Sequence, residues 1–491
     1  MTDTTPEQYE AVLDAAVAAA PVLAATTPTT RAALLRAVAG ALEEHADALV
    51  PLAVADSHLP VPRLRGEVTR TAVQFEMFAD ALEEGSWLEA IIDLADAQAR
   101  PAPRPDLRRM LVPLGPVAVF GASNFPFAFG VAGGDTASAL AAGCPVVVKG
   151  HPGQPSLTDP YAAVVAEALR AAGAPEGVVG VVHGDDNARR LVQDPRIHAV
   201  GFTGSTAGGR ALADLAAARP RPIPFYGELG SLNPVFVTPA AATARGEDIA
   251  RAYVASATLG AGQFCTKPGL LFVPAGSGLD KTVVEAAGAV AAAPLLNERI
   301  RVGWRRELER LAAHPRVRLV AGSPADSGAD SLEVSPVFLA TDVADLEASG
   351  SQLLAECFGP FSLIVEYRDE AELLRAARLF DGNLTATVHG EGPDDQPAAA
   401  LLDALRDSSG RLIWNGWPTG VAVSWAQHHG GPYPSTNSLH TSVGVTALRR
   451  FLRPVAYQDL PDPLLPEALR NTNPLGIPRR VNGRLTTEPI G

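Results

Sequence analysis

Residues 116–152 read PVAVFGASNFPFAFGVAGGDTASALAAGCPVVVKGHP. An apolar run of β-formers, PVAVF, is followed by a glycine-containing turn, the helical stretch GGDTASALAAG and a second apolar run, PVVVK. Strands that are apolar at every position are buried on both faces, and helices between them make the crossovers of a parallel sheet. The pattern continues with the helical PYAAVVAEALRAAG and the apolar runs GVVGVV (177–182) and HAVGFTG (198–204). The expected fold class is therefore α/β, with a doubly wound, mostly parallel sheet. Ligands of such sheets bind at the carboxyl ends of the strands. Those ends carry Ser123-Asn124, Lys149-Gly150-His151, His183-Gly184 and Thr203-Gly204-Ser205, a polar set suited to a nucleotide.

Upstream, the first 85 residues read as helices, opened by Thr5-Pro6-x-Gln8, which supplies an N-cap, a proline at the first helical position and a capping-box partner. From Trp87 to Met110 a Pro/Arg-rich turn, PAPRPD, separates two β-like runs, the pattern of a hairpin that projects from the body. Strand and helix alternate again after about residue 235, and a Pro-rich stretch, FLRPVAYQDLPDPLLPEALR, leads into a polar tail. The 491 residues are enough for roughly three domains.

Composition excludes several classes of function. With 40 Lys+Arg against 54 Asp+Glu the net charge is −14, which disfavours nucleic acid and anionic membranes as partners. The charge-free stretch from Leu111 to Gly134 is broken by Pro113, Gly115, Pro116 and Pro126, so it reads as buried strand and loop and not as a membrane span. The acidic start MTDTTPEQYE lacks the basic region of a secretory signal. Cysteines at 144, 265 and 357 are too few and too far apart for a disulfide framework, and a cytoplasmic location is expected. GxGxxG, GxxxxGK[ST] and HExxH are all absent, so the usual dinucleotide fingerprint, a P-loop and a zincin are unsupported.

Single residues suggest chemistry without deciding it. Cys265, among small residues in GAGQFCTKPG, is either a core thiol or a nucleophile whose thiolate needs local help. Glu228, in the apolar FYGELGSLNP, is either a hydrogen-bonding carboxylate or a desolvated one whose raised pKa suits a general base. Asn124 follows a strand and could donate to an oxyanion or merely shape a turn. Glu356 in AECFGP is equally open, and Cys144 and Cys357 read as core residues. Lysine occurs only at 149, 267 and 281, arginine elsewhere, so a surviving ammonium can mark a site. His428 and His429 read as surface-loop histidines, since neighbours in sequence share no face and no carboxylate or cysteine accompanies them.

Taken together, SNFPF, VVVKGHP, GFTGS, GELGSLNP, GQFCTKPG and ECFGP follow the order and approximate spacing of the aldehyde dehydrogenase superfamily, a resemblance running from about residue 10 to 470. RPIPFYGELGSLNP, NGWPTG, HHGGPYPST and FLRPVAYQDLPDPLLPEAL resemble the branch containing the α-ketoglutaric semialdehyde (2,5-dioxovalerate) dehydrogenases. The resemblance implies a Rossmann-type cofactor domain (1–85, 113–228 and about 425–455), an α/β catalytic domain (229–424), and an oligomerisation arm with a tail (86–112 and 456–491). It implies that Cys265 attacks the aldehyde, that Asn124 and the Cys265 N–H hold the oxyanion, and that Glu228 activates the hydrolytic water. For the cofactor it implies Lys149 at the adenosine ribose with His151 beside it, Gly204 and Ser205 near the pyrophosphate, and Glu356 at the nicotinamide ribose. Pro152 stands where NAD-preferring relatives carry an acid, which favours NADP, with NAD possible.

The implied reaction oxidises a small-molecule aldehyde, 2,5-dioxopentanoate, to 2-oxoglutarate in a dimer or tetramer. Fatty or aromatic aldehydes are the alternative substrates, and a catalytically silent binding protein the alternative of another class. Ser123, the GELGS variant, Lys267, Trp425, Gln427 and residues 438–440 depart from the usual pattern, and any of the last three that line the aldehyde tunnel would redirect the substrate.

Overall fold

The computed structural model describes residues 2–324 and 331–490. Four helices come first: α1 (Pro6–Ala24), α2 (Pro28–Glu44), α3 (Ala46–Ser57) and α4 (Val61–Glu84). Thr5 caps α1 as its sequence predicts, accepting from the Gln8 N–H while the Gln8 side chain accepts from the Thr5 N–H. Helix α4 buries Leu64, Val68, Phe75, Phe78 and Leu82, and with them Glu67, Thr71 and Gln74. Polar side chains on a buried face are costly unless their hydrogen bonds are met, and this face backs the site described below. α4 stops at Gly85, whose φ of +84° suits glycine; a Cβ there would stand 2.2 Å from the Ile477 side chain.

The hairpin expected after Trp87 forms from β1 (Ile91–Asp93) and β2 (Leu107–Pro113). Leu452–Gln458 pairs with β2, while Arg479–Val481 and Arg484–Thr486 extend the other edge, giving a five-stranded sheet apart from the main body.

The four apolar runs of the sequence become β3 (Val117–Phe120), β4 (Val146–Lys149), β5 (Val179–Val182) and β6 (Ala199–Thr203), joined by β7 (Phe225–Glu228). Crossovers run through α5 (Gly134–Ala142), α6 (Thr158–Ala171), α7 (Asp185–Gln193) and α8 (Thr206–Ala217). All five strands are parallel in the order β5-β4-β3-β6-β7. Phe120 pairs with both Lys149 and Phe202, so the carboxyl ends are level, and the order reverses between β3 and β6, which opens a crevice there.

A second sheet begins with β8 (Val235–Val237), crosses through α9 (Pro239–Thr258) and returns as β9 (Leu270–Pro274). Its seven strands are ordered Arg318–Ala321, Val337–Asp342, Phe361–Tyr367, β9, β8, Asn383–His389 and Ser409–Trp414, and only the first pairs antiparallel. Phe236 stacks on Phe272 at 4.5 Å in its core. Beyond this sheet the chain returns to β7, where the Leu229 N–H donates to Ser435 O and Thr436 bridges Glu228. Among the described residues no helix is long and apolar enough to cross a membrane.

Candidate active site

The first sheet delivers Asn124 after β3 and Glu228 at the end of β7. The second contributes from the opposite pole, because Cys265 precedes β9 and Glu356 precedes the strand Phe361–Tyr367. Carboxyl ends of one sheet therefore face amino ends of the other, and the cleft between them is the candidate site.

Cys265 is held by its loop. Gly260, Ala261 and Gly262 all have positive φ, and a Cβ on Gly262 would lie 2.2 Å from Gly359 O, so glycine there lets the loop press against the chain just after Glu356. The Asn233 side-chain amide donates to Cys265 O at 2.8 Å and Lys267 O at 2.9 Å. Lys267, unassigned from sequence, is buried and its Nζ donates to Cys357 O and Phe361 O at 2.8 and 2.7 Å, tying the cysteine loop to the Glu356 segment. The Asn124 Nδ2 donates to Gln263 O at 3.0 Å, which fixes the amide and leaves its second N–H available. Among the described residues the Cys265 backbone N–H finds no acceptor, so two donors are ready for an oxyanion.

Glu228 is buried with both oxygens engaged: His429 Nε2 lies 2.9 Å from Oε1, and the Ser442 hydroxyl donates to Oε2 at 2.6 Å. His429 Nε2 also lies 3.5 Å from the Cys265 sulfur, and one ligand-type atom from each of Glu228, Cys265 and His429 falls within 4.8 Å of the others. This corrects the sequence reading of His429 as a surface-loop histidine without carboxylate or cysteine nearby: the residue is 1% exposed, its N–H donates to Thr441 Oγ1, and Phe129 meets its ring edgewise. The expectation of a raised Glu228 pKa also fails. Burial pushes this carboxyl up, but His429, Ser442 and the Cys265 thiol outweigh it and hold the group below the usual value. The Cys265 thiol is pushed well up, by burial first and then by the Glu228 and Glu356 charges, with Arg70 offsetting in part. A protonated thiol thus rests beside an ionised base. The three donor types could also hold a cation, but a metal there would compete for the sulfur lone pair that a nucleophile needs.

The remaining sequence-predicted residues divide between the carboxyl ends of β4 and β6 and the seam. Lys149, at the end of β4, pairs with Asp185 at 3.2 Å, a carboxylate that is 89% exposed. The absence of an acid at Pro152 therefore does not leave the lysine without a carboxylate neighbour. His151 Nδ1 accepts from the Gly153 N–H at 3.0 Å; burial and the charges of Lys149 and Arg299 lower its pKa to about 4. Ser205 caps α8, accepting from the Gly208 N–H, while the Gly204 N–H donates to Glu228 O. Glu356 reaches the seam between the sheets, its Oε2 2.6 Å from where a Gly230 Cβ would stand, beside Thr206 Oγ1. The residue is exposed to solvent, yet the surrounding protein pushes its carboxyl up to about 7, against the pull of Lys267 and the Ser231 backbone. Cys144 and Cys357 are buried core residues as expected. Trp425 lines a shallow hollow with Trp87, Val445 and Leu448, and His440 meets Tyr226 edgewise.

The aldehyde dehydrogenase family matches residues 1–454. Alpha-ketoglutaric semialdehyde dehydrogenase 2 of Azospirillum brasilense is 47% identical over 466 residues, covering 92% of this chain and 87% of that protein. Alpha-ketoglutaric semialdehyde dehydrogenase of Acinetobacter baylyi is 41% identical over 465 residues, covering 94% and 88%. A mutant aldehyde dehydrogenase C of Pseudomonas syringae, solved with NAD+ and octanal, shares the fold with a TM-score of 0.77 at 21% identity, covering 93% of this chain and 90% of that one.

Proposed function

The chain belongs to the aldehyde dehydrogenase family, and from that premise we propose that it oxidises 2,5-dioxopentanoate to 2-oxoglutarate through a covalent adduct on Cys265. The observation that carries this reading is the meeting of Cys265, Glu228 and His429 in one cleft, with Asn124 fixed beside them.

The residues present suit a nicotinamide dinucleotide. α8 opens at the crevice with Ser205 as its cap, and the first N–H groups of a helix have no partner inside it, which favours a pyrophosphate. His183 Nδ1 is buried without a partner, 2.3 Å from where a Gly150 Cβ would stand, an arrangement that brings bare backbone close to an unmet polar atom. Lys149 and His151 would hold the adenosine end, Gly204 and Ser205 the pyrophosphate, and Glu356 the nicotinamide ribose. Bound there, the nicotinamide supplies a hydride acceptor.

In this mechanism Glu228 accepts the Cys265 proton, and the sulfur bonds to the aldehyde carbon. The carbonyl oxygen becomes an oxyanion held by the free Asn124 N–H and the Cys265 N–H; each such donor is worth about 2.7–4 kcal/mol. Oxidation leaves a thioester, and Glu228, having released its proton, takes one from the water that cleaves it, returning the thiol and a carboxylate product. Lys149 and Arg299 around His151 favour NADP over NAD, with Asp185 as the exposed counter-ion that a 2′-phosphate displaces. The sheet of β1, β2 and Leu452–Gln458 serves assembly into a dimer or tetramer, and the enzyme works in the cytoplasm.

The test is reduced-cofactor formation by the purified protein with 2,5-dioxopentanoate, succinic semialdehyde and a medium-chain alkanal, each with NADP and NAD. Selectivity for the dioxo acid upholds the assignment; preference for the alkanal overturns the substrate and leaves the covalent mechanism standing.

A further inference from the structure

Two buried arginines away from the thiol, Arg31 and Arg450, have every guanidinium nitrogen engaged. Arg31 donates from Nε and both terminal nitrogens to Thr26 and to the carbonyls of Ala141, Leu23 and Ala24. Arg450 pairs with Asp135 and donates to Ala447 O and Ser138 Oγ. The arginines around the thiol are different. Among the described residues, four guanidinium nitrogens are buried without an acceptor: Arg63 Nη1, Arg70 Nη1, Arg411 Nε and, in the distant terminal sheet, Arg479 Nε. Arg63, Arg70 and Arg411 form no ion pair with any described carboxylate. Three arginines without an ion pair at one cleft stand out in a chain whose net charge is −14.

Their placement is specific. Arg70 on α4 lies over the Phe129 ring and donates to Val421 O at 3.4 Å; Arg411, on the edge strand Ser409–Trp414, donates to Pro418 O at 2.7 Å and Gly420 O at 3.2 Å. Arg70 from helix α4 and Arg411 from a strand of the second sheet thus both hold one short strap, 418–421. The charges of both act on the Cys265 sulfur. Phe129 lies under the Arg70 guanidinium and meets the His429 ring beside the thiol, and it clusters with Phe125, Val421 and Val443 into an apolar patch. Arg63 stands nearer the reacting end, over Phe125 and Phe264 at 4.9 and 4.8 Å, and its Nη2 donates to Asn124 O. Glu67, one turn from each α4 arginine, spends Oε1 on the Phe127 and Ala128 N–H groups instead of pairing with them.

We propose that Arg70 and Arg411, both fixed to the 418–421 strap, bind the distal carboxylate of a short aldehyde acid and so determine the substrate class. The inference rests on the reading of the reaction given above. An apolar patch beside unpaired guanidinium N–H groups accepts a chain with an aldehyde at one end and an anion at the other, and Arg presents the planar fork that a carboxylate matches. An uncharged aldehyde leaves those donors unmet.

The experiment compares kcat/KM for 2,5-dioxopentanoate and for pentanal in the wild type, Arg70→Met and Arg411→Met, with Arg70→Lys and Arg411→Lys retaining the charge. The ratio of the two constants is expected to fall about ten- to a hundredfold in each Met variant, the scale of a charge-assisted hydrogen bond, and to recover in part with Lys. A ratio unchanged in both Met variants overturns the proposal. A second readout needs no turnover: 2-oxoglutarate should slow alkylation of Cys265 in the wild type and not in the Met variants. If the wild type prefers pentanal, the assigned reaction fails while protection still decides the anion site. Absence of protection in the wild type, or protection that survives both substitutions, overturns it.

Discussion

Replacing His429 with Leu should move the acid limb of turnover upward. In the folded protein Glu228 keeps its proton affinity low because His429 Nε2, 2.9 Å away, the Ser442 hydroxyl, 2.6 Å away, and the Cys265 thiol together outweigh burial, with His429 the largest contributor. Removing a charge-assisted hydrogen bond from a buried carboxylate costs about 1.5–3 kcal/mol, so ionised Glu228 should lose stabilisation of that order and its pKa should rise. The base works when ionised, so a higher pKa makes activity disappear at a higher pH on acidification. The assay is the pH dependence of kcat beside the pre-steady-state burst, in wild type, His429→Leu and His429→Gln, the last of which restores an N–H donor. Acid unfolding carries the same sign. A carboxyl with a depressed folded pKa stabilises the fold above its unfolded value and loses that contribution as pH falls through the folded one, so His429→Leu should unfold at a higher pH than wild type. An acid limb that stays in place in the Leu variant, or that Gln fails to restore, refutes the reasoning.

Glu228→Ala should slow both the burst of reduced cofactor and steady turnover, each by about 10²–10⁴, since the Cys265 thiol and the hydrolytic water both lose their base; a burst and a turnover that stay normal remove Glu228 from those steps. Lys267→Met should lower stability by about 1–3 kcal/mol for each of the carbonyls of Cys357 and Phe361 left without its donor, read by denaturant unfolding, and should weaken cofactor binding because the Glu356 segment loses its tie to the cysteine loop.

The parallel sheet was legible because four of its five strands lie in apolar runs and the helices between the first three are Ala-rich, local patterns that need no knowledge of distant contacts. Cys265, Glu228 and Asn124 were found as members of ordered motifs, and the fold brings them into one cleft. His429 was not. Its burial depends on residues 429–442 returning beside β7, and nothing within HHGGPYPST states that return. The available signal was the glycine pair after it: a Cβ on Gly431 would lie 2.2 Å from Asn383 O, which marks a segment packed against another backbone. Arg70 and Arg411 escaped notice for a similar reason, since arginine is the general cation of this chain and only the missing partners distinguish them. The Glu228 pKa was misjudged because desolvation can be read from apolar neighbours in sequence, whereas a histidine and a serine some 200 positions later cannot.

Both groups that keep Glu228 ionised arrive on the same returning segment, His429 at its start and Ser442 at its end, with Thr436 bridged to Glu228 between them. Glu228 belongs to the first sheet and that segment follows the last strand of the second, so the strength of the base is a property of how the two halves are seated against each other. Lifting the segment admits water and removes both hydrogen-bond partners in one movement. Access for the hydrolytic water and the basicity needed to use it are thereby set in opposition, and the seated arrangement is the one in which the carboxylate is charged.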